Sequence, residues 1–333
     1  MSKIKFVEAN GDVSFRELDS SVLQDFQLQK KLLYTMKLAR AFEEKANELY
    51  ATGFIHGTLH LGIGQEAAAI GSTAAMALED KILITHRGHL EAIGKGMSIA
   101  SMFSELLGKE SGASKGYGGS MHMIDPTKGI LHANGIVGAN APLSCGIALA
   151  LKKQKKVAIA TCYLGDGAMN EGAYSESLNL ASLWKLPVVF ATVNNKYGMS
   201  TPIHKSHANT DLAQRGIAFN LPTIDIDGNC VLTVCSAMKL AREFALKNQP
   251  VILILNTYRI SGHSRSDKNR YREDSEILDW KKRCPIKRLE NSLLEQKQIN
   301  QVDIEKIDLK IKNEINSAVQ AAQLSELAKE IQW

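Results

Sequence analysis

The segment Cys162–Tyr174, with the sequence CYLGDGAMNEGAY, limits the possible folds of this chain more than any other segment. An apolar run ends here at Asp166, a single carboxylate between two glycines, and a helix-like run follows. Two interpretations fit. The segment is either an ordinary Asp-Gly turn, or it places a carboxylate at the end of a buried strand to bind a metal ion that also holds a phosphate. The remaining sequence distinguishes them.

Apolar runs alternate with helical patterns through the middle of the chain. Strands are predicted at Val157–Leu164, Val188–Val193, Thr223–Ile226 and Val251–Thr257. Apolar residues at helical spacing predict helices at Gln27–Tyr50, Gln65–Leu78, Ala168–Trp184 and Val231–Leu246. This alternation predicts an α/β fold, a parallel sheet with helices on both faces. A chain of 333 residues is long enough to bury the core of such a fold.

The sequence predicts three parts along the chain. Residues 1–25 are predicted to form a polar N-terminal arm, residues 26–275 the α/β domain, and residues 276–333 a helical segment packed on the same domain or on a partner. Residues 108–123 are so rich in glycine that we expect a long loop there, either flexible or wrapped around a cofactor.

Composition argues against several classes of protein. The net charge is only +5, from 40 basic and 35 acidic residues, which gives no reason to expect a nucleic-acid partner. No stretch reaches the roughly 20 apolar residues that a membrane span needs, and no signal peptide is apparent. The five cysteines form no CxxC pair. Reduced thiols in a cytoplasmic protein fit this pattern best.

The strand ends themselves favour a metal site. Asp166 follows one predicted strand and Asn195 follows the next. A right-handed crossover would bring both strand ends to the same edge of the sheet. One carboxylate and one amide oxygen suit Mg²⁺, which takes its other ligands from phosphate and water. Gly165 and Gly167 allow phosphates to approach the backbone, where N–H groups near Ala168 face them. This arrangement favours a Mg²⁺–diphosphate site over a simple turn.

The segment "GDGAMNEG…LNLASLWKLPVVFATVNNKYGMST" resembles the thiamine diphosphate signature of the α subunits of 2-oxo acid dehydrogenase first components. The likeness continues through "HLGIGQEAAAIG", "THRGHLEAIGKG", "GGSMHM", "ANGIVGANAPLSCGIALA" and "TYRISGHSRSD", and it covers roughly residues 30–275. It implies the thiamine diphosphate-binding fold, of which this chain would be the diphosphate-binding domain.

The resemblance also implies roles for particular residues. The Mg²⁺ ligands would be Asp166, Asn195 and the main-chain oxygen of Tyr197. The implied cofactor contacts, from the diphosphate to the aminopyrimidine, are Gly167, Ala168, Arg87, His86, Asn195, His263, Gly135 and Val137. The implied catalytic residues are His263, His89 and His60, with His60 facing the substrate and His89 lining the same cavity.

Simpler interpretations of two of these residues stay open at this point. Arg87 also fits a surface cation, although a basic pair after an apolar strand favours a bound anion. His89 fits a packed histidine as well as a catalytic one.

The resemblance implies partners, because thiamine enzymes also need a pyrimidine-binding domain for which this chain has no room. A separate β subunit would supply that domain and the activating glutamate in an α₂β₂ heterotetramer. The C-terminal segment and the Ala67–Leu78 helix are candidate contacts. The expected reaction cleaves a carbon–carbon bond of a small 2-oxo acid or acetoin, and passes the acyl unit to a lipoyl domain of a dihydrolipoyl acyltransferase core.

The substrate and even the activity have alternatives. THRGH and ESLNLASLWKLPV resemble the acetoin branch of the family, whereas NNKYGMST and GHSRSD resemble the pyruvate branch. This favours acetoin, or a broadly acting pyruvate/acetoin enzyme, slightly over pyruvate alone. The alternative function is a catalytically silent paralogue that binds the cofactor or a partner.

Overall fold

The computed structural model describes residues 3–329. The strands of this part of the chain are β1 (Ile4–Val7), β2 (Val13–Arg16), β3 (Lys81–Thr85), β4 (Ile130–Asn134), β5 (Ala160–Gly165), β6 (Val188–Asn194), β7 (Tyr197–Gly198), β8 (Thr201–Pro202), β9 (Thr223–Asp227) and β10 (Val251–Asn256). Its α-helices are α1 (Ser20–Gln24), α2 (Phe26–Ala51), α3 (Glu66–Ala74), α4 (His89–Gly94), α5 (Ile99–Leu106), α6 (Asn140–Lys153), α7 (Gly172–Trp184), α8 (Ile203–Ser206), α9 (Val231–Leu246), α10 (Asp274–Lys282), α11 (Pro285–Glu295) and α12 (Gln301–Leu324).

Eight strands form one sheet in the order β2-β1-β9-β10-β6-β5-β3-β4. The six strands from β9 to β4 run parallel, and β1 pairs antiparallel with both β2 and β9. Helices flank this sheet, so the predicted α/β fold is confirmed. The central strands are buried along nearly their whole length, as parallel strands covered by helices must be.

The predicted elements match the observed ones to within a few residues, except where the site begins. The helix predicted from Ala168 starts instead at Gly172, because Asp166–Asn170 forms a 3₁₀ turn between β5 and α7. The strand predicted from Val157 starts at Ala160, and the Val157 side chain is exposed. The turn after Gly165 therefore holds Asp166 directly at the strand end.

The structure differs from the prediction for the N-terminal arm. Residues 4–16 form β1 and β2, which extend the sheet beyond β9. Phe6 is fully buried, and its ring stacks on Phe244 at 5.3 Å. Lys3 and Lys5, on either side of Ile4, gave this four-residue strand a polar sequence, so the apolar pattern of Ile4, Phe6 and Val7 was not recognised. The division of the chain at residues 25 and 275 stays a prediction.

Two segments that the sequence marked as candidate contacts for a partner pack against the rest of this chain. Ala67, Ala68 and Ala69 of α3 are at most 1% exposed. A Cβ at Gly71 would meet the Val231 carbonyl oxygen at 2.8 Å, so α3 and α9 touch through small residues. Residues 67–73 of the Ala67–Leu78 segment are therefore core, whereas Leu78 at its end is 62% exposed. In the C-terminal segment, α12 packs on α2 and α5.

A buried carboxylate organises the glycine-rich segment at residues 108–123. Glu105, only 1% exposed, accepts hydrogen bonds from four backbone N–H groups. The donors are Ser114, Gly116, Gly118 and Gly119, at 2.7, 2.9, 2.7 and 3.0 Å. A carboxylate with this many N–H donors forms strong charge-assisted bonds. The segment is a folded loop held at its centre rather than a flexible one.

We expect Glu105→Gln to lower the free energy of unfolding by about 2–4 kcal/mol, because an amide NH₂ would face two backbone N–H groups that now have an acceptor. Urea denaturation followed by circular dichroism measures the change. Glu110→Gln, in the same segment but with a half-exposed side chain, is the control and should cost less than about 0.5 kcal/mol. Equal effects of the two substitutions would contradict this account of the loop.

Candidate active site

A cavity of about 260 Å³ opens at the carboxyl ends of the central parallel strands. Its lining includes ten residues that the sequence analysis placed at the cofactor or the metal: His86, Arg87, Gly135, Val137, Asp166, Gly167, Ala168, Asn195, Tyr197 and His263. These residues follow five separate strands, β3, β4, β5, β6 and β10, so the parallel sheet is what brings them together. His60 and His89 are not part of this lining.

Asp166 lies at the bottom of the cavity with an unsatisfied charge. β5 and β6 pair in parallel with Gly165 opposite Val193, which brings Asp166 and Asn195 to the same edge. Asp166 is 1% exposed, and its Oδ2 atom has no hydrogen-bond partner among the described residues. Burial raises the pKa of Asp166 to about 6, although Lys196 and the Asn195 N–H lower it in part. A buried carboxylate oxygen without a donor is a suitable ligand for a divalent cation.

The backbone after β6 turns so that Asn195 and Tyr197 can act together. Lys196 lies between them with a left-handed φ of 74°, which is costly for a residue with a side chain. This turn lets the Tyr197 N–H donate to Asn195 Oδ1 at 3.3 Å, while Asn195 Nδ2 donates to Gln65 Oε1 at 3.2 Å. The amide orientation is thereby set, and Asn195 Oδ1 keeps a lone pair for a cation.

Two glycines keep space open beside these groups. A Cβ added to Gly167 would lie 3.4 Å from the Gly198 Cα, so side chains here would fill the gap between the two loops. The 3₁₀ turn that begins at Asp166 adds backbone N–H groups at the same place. Such a backbone cradle suits phosphate oxygens.

The cavity wall carries more positive charge than the protein neutralises. Arg87 is 8% exposed, and it donates to the carbonyl oxygens of Leu61 at 2.5 Å and His263 at 2.7 Å. Burial and the nearby Arg259 lower the pKa of Arg87 to about 9. Arg259 is 1% exposed, and its Nε has no partner among the described residues. Arg87 is therefore not a surface cation, and the pair of arginines suits a buried anion.

Three imidazoles cluster at the mouth of the cavity. Nitrogen atoms of His60, His86 and His263 lie within 4.8 Å of one another. Burial is the main cause that lowers their pKa values, to about 2, 3 and 4 respectively, and nearby positive charge lowers them further. All three are consequently neutral near pH 7. His60 Nδ1 has no hydrogen-bond partner among the described residues.

His89 lies elsewhere, contrary to the expectation that it lines the cavity. It is 1% exposed; its Nδ1 lies 3.3 Å from both carboxylate oxygens of Glu43, and its Nε2 is 2.9 Å from the Ser120 hydroxyl. Glu43 also accepts from the Gly62 N–H at 3.1 Å. His89 therefore joins α2, α4 and the glycine-rich loop beneath the site, because its ring points into the protein rather than toward the cavity.

Sequence reasoning missed several residues of the cavity. Arg259 stands in the quoted segment TYRISGHSRSD, directly after a predicted strand, and this position was the signal that could have identified it. Gln65 and Glu91 also line the cavity. Neither has a local signal, since both belong to helical segments whose orientation only the tertiary structure reveals.

The fold and the site together define a cofactor-binding α/β enzyme whose cavity suits a metal-bound diphosphate. Comparison with known proteins identifies the family. The model of the dehydrogenase E1 component family matches residues 34–330. The chain therefore belongs to this family, whose members use thiamine diphosphate and act with a β subunit and a complex core.

The individual relatives are named either as an acetoin oxidoreductase α subunit or as pyruvate dehydrogenase α subunits. The α subunit of the acetoin:2,6-dichlorophenolindophenol oxidoreductase of Bacillus subtilis is 39% identical over 87% of this chain and 87% of its own length. The pyruvate dehydrogenase E1 component α subunit of Rhizobium meliloti is 38% identical over 86% of this chain and 83% of its own. A mitochondrial pyruvate dehydrogenase E1 α subunit of Arabidopsis thaliana is 38% identical over 86% and 74%. Among the helices of residues 3–329, none combines the length and apolar character that crossing a bilayer needs.

We expect Asp166→Asn to stabilise the ligand-free protein while abolishing its response to Mg²⁺ with diphosphate. The pKa rises on folding from 3.8 to about 6, so the folding penalty is absent below 3.8, complete above 6, and stability falls as pH rises between them. Removing the charge should raise the free energy of unfolding at pH 8 by about 3 kcal/mol. Thermal melts with and without Mg²⁺ and thiamine diphosphate test both effects.

The exposed Asp279→Asn serves as the control for this substitution. It should keep the ligand-dependent rise in melting temperature and leave the ligand-free melt unchanged. A full Mg²⁺-dependent rise in the Asp166→Asn variant would show that Asp166 is not a metal ligand.

Proposed function

We propose that this chain is the α subunit of a thiamine diphosphate- and Mg²⁺-dependent dehydrogenase first component that acts on acetoin, or on both pyruvate and acetoin. With a β subunit it cleaves a carbon–carbon bond next to a carbonyl, and the acyl unit passes to the lipoyl domain of a dihydrolipoyl acyltransferase core. A cytoplasmic location is part of the proposal. The observation that carries it is the buried Asp166 Oδ2, which has no hydrogen-bond partner among the described residues and lies in a cavity also lined by Asn195, Arg87 and Arg259.

The donor set of the cavity fits both the metal and the diphosphate. Asp166, Asn195 and the Tyr197 carbonyl offer only oxygen atoms, which Mg²⁺ prefers. The residues that would hold the diphosphate by backbone N–H groups or positive charge are Gly167, Ala168, Arg87 and His86, together with Arg259. Gly135 and Val137 also line the cavity, and their backbone groups would hold the aminopyrimidine.

Thiamine diphosphate supplies a carbanion nucleophile and an electron sink when it is bound. The chain contributes orientation, a buried cavity and proton acceptors. His263 and His60 have ring centroids 5.0 Å apart and are neutral near pH 7, so each can take a proton from a substrate hydroxyl or hold one for its return. Arg87 and Arg259 would oppose the negative charge of the diphosphate from buried positions in the cavity.

A reconstitution assay tests the reaction and the substrate together. The chain is expressed with its β subunit, and reduction of a dye electron acceptor is followed with acetoin, pyruvate and a branched-chain 2-oxo acid in separate reactions. We expect dye reduction with acetoin, alone or together with pyruvate, and dependence on both Mg²⁺ and thiamine diphosphate. Reduction with pyruvate alone would contradict the substrate preference. Cofactor binding without turnover of any substrate would contradict the activity and leave a silent paralogue.

The β subunit is proposed to cover the apolar surface next to the cavity. Ile136 and Val137 line the cavity, yet they are 73% and 54% exposed. Leu143 on the adjoining helix α6 is 45% exposed. We call these three residues the α6 face. A second chain seated on the α6 face would close the end of the cavity expected to hold the aminopyrimidine, which is where a second domain is required.

We expect Leu143→Asp to weaken assembly with the β subunit at least about tenfold, because it would bury an unpaired charge at the interface. Leu143 is partly exposed in the single chain, so its own fold should be unaffected. Size-exclusion chromatography of the co-expressed subunits measures assembly. Leu309→Asp, 60% exposed on α12, is the control and should assemble normally. Normal assembly of the Leu143→Asp variant would place the β subunit on another surface.

A further inference from the structure

Glu91 is a buried carboxyl group to which the proposed reaction gives no role. It lies in the first turn of α4, is 7% exposed, and lines the same cavity as the residues proposed to hold the cofactor. Its Oε2 atom has no hydrogen-bond partner among the described residues. A buried carboxyl oxygen without a partner is costly, so it indicates a group that is satisfied only when a ligand is present.

Charged and titratable groups surround Glu91 on every side. The carboxylate of Glu43 on α2 repels its negative charge, whereas His89 on α4 and Arg87 in the loop before α4 attract it. Tyr163 on β5 also faces it, and that hydroxyl is bound to Ser72 at 2.7 Å. Burial outweighs the attraction and raises the pKa of Glu91 to about 7. The group therefore changes its charge in response to small changes in its surroundings near neutral pH.

The strand order places Glu91 between the two proposed ends of the cofactor. Asp166 and Asn195, the proposed metal ligands, follow β5 and β6. Glu91 follows β3, as Arg87 does, and Gly135 follows β4 beyond them. A ligand that runs from the metal site to the end of β4 therefore passes Glu91 on the way. Thiamine diphosphate carries its cationic thiazolium ring in this middle position, between the diphosphate and the aminopyrimidine.

We propose that Glu91 faces the cationic thiazolium ring of the bound cofactor and acts as its counter-ion. This inference rests on the proposed function, and it assigns a negative charge to the part of the cavity that would hold the thiazolium ring. Glu91 gives up its proton when the ring binds, since the positive ring stabilises the carboxylate. Above pH 7 the carboxylate is already formed, so the affinity for the cofactor rises as pH increases from 6 to 8.

Three ligands separate this role from the metal and diphosphate groups. Inorganic pyrophosphate with Mg²⁺ occupies only the anion end. The thiazolone analogue of thiamine diphosphate has an uncharged ring of nearly the same shape. Thiamine diphosphate itself carries the positive ring. Calorimetric titration of the chain assembled with its β subunit gives the affinity for each ligand, and buffers of different ionisation enthalpy give the protons released.

For Glu91→Gln at pH 8 we expect at least about tenfold weaker binding of thiamine diphosphate. Binding of pyrophosphate and of the thiazolone analogue should be unchanged. The rise in cofactor affinity between pH 6 and 8, and the proton release at pH 6.5 beyond that seen with pyrophosphate, should both be reduced. The exposed Glu79→Gln has the same change in net charge and should bind all three ligands as the unaltered protein does.

Two results would overturn the proposal. Equal losses for the charged and uncharged rings would mean that Glu91 only shapes the cavity, and unchanged cofactor binding would mean that it does not face the ring. If the unaltered protein bound neither pyrophosphate nor cofactor, the proposed function itself would fail, which is visible before any variant is made. Thermal melts check the fold of Glu91→Gln, which removes a buried ionisable group.

Discussion

The parallel pairing of β5 with β6 is the constraint on which the site depends. Gly165 stands opposite Val193 in this register, so Asp166 and Asn195 leave the sheet side by side. A shift of the register by one residue would turn Asp166 or Asn195 toward the other face of the sheet. The register is held by strands buried on both faces, from Ala160 to Leu164 on β5 and along most of β6. The register of β5 and β6 therefore fixes both the packing of the core and the positions of the proposed metal ligands.

The cavity is electrostatically unfavourable for the protein alone. Asp166 and Glu91 are buried carboxyl groups with raised pKa values, whereas Arg87 and Arg259 are buried guanidinium groups with lowered ones. Each shift shows that the folded state disfavours the charged form. A ligand with two negative phosphates, a divalent cation and a positive ring would offset all four. These four buried groups lower the stability of the ligand-free protein and raise its affinity for the ligand. This is common where groups must be positioned before the ligand arrives.

The sequence predicted the parts of this molecule that rest on local patterns. The α/β fold, the strand ends and the convergence of Asp166 with Asn195 all followed from apolar periodicity and the handedness of crossovers. β1 and β2 could not be recognised, because each has only four residues, Lys5 interrupts β1, and β2 has no buried residue. His89 and Glu91 lie two residues apart on α4, yet one joins a buried network with Glu43 and the other lines the cavity. Only the packing of α4 against α2 and α3 decides which way each points.

The same arginines that suit the diphosphate also act on the proton acceptors. Burial is the main cause that lowers the pKa values of His263 and His60; Arg87 lowers both further, and Arg259 lowers that of His263. A bound diphosphate would offset this positive field, so the pKa of both imidazoles would rise toward the ordinary value for histidine. A proton acceptor is most effective when its pKa is close to the working pH. Cofactor binding would therefore make both imidazoles stronger bases when the reaction begins. In the empty site they stay weakly basic.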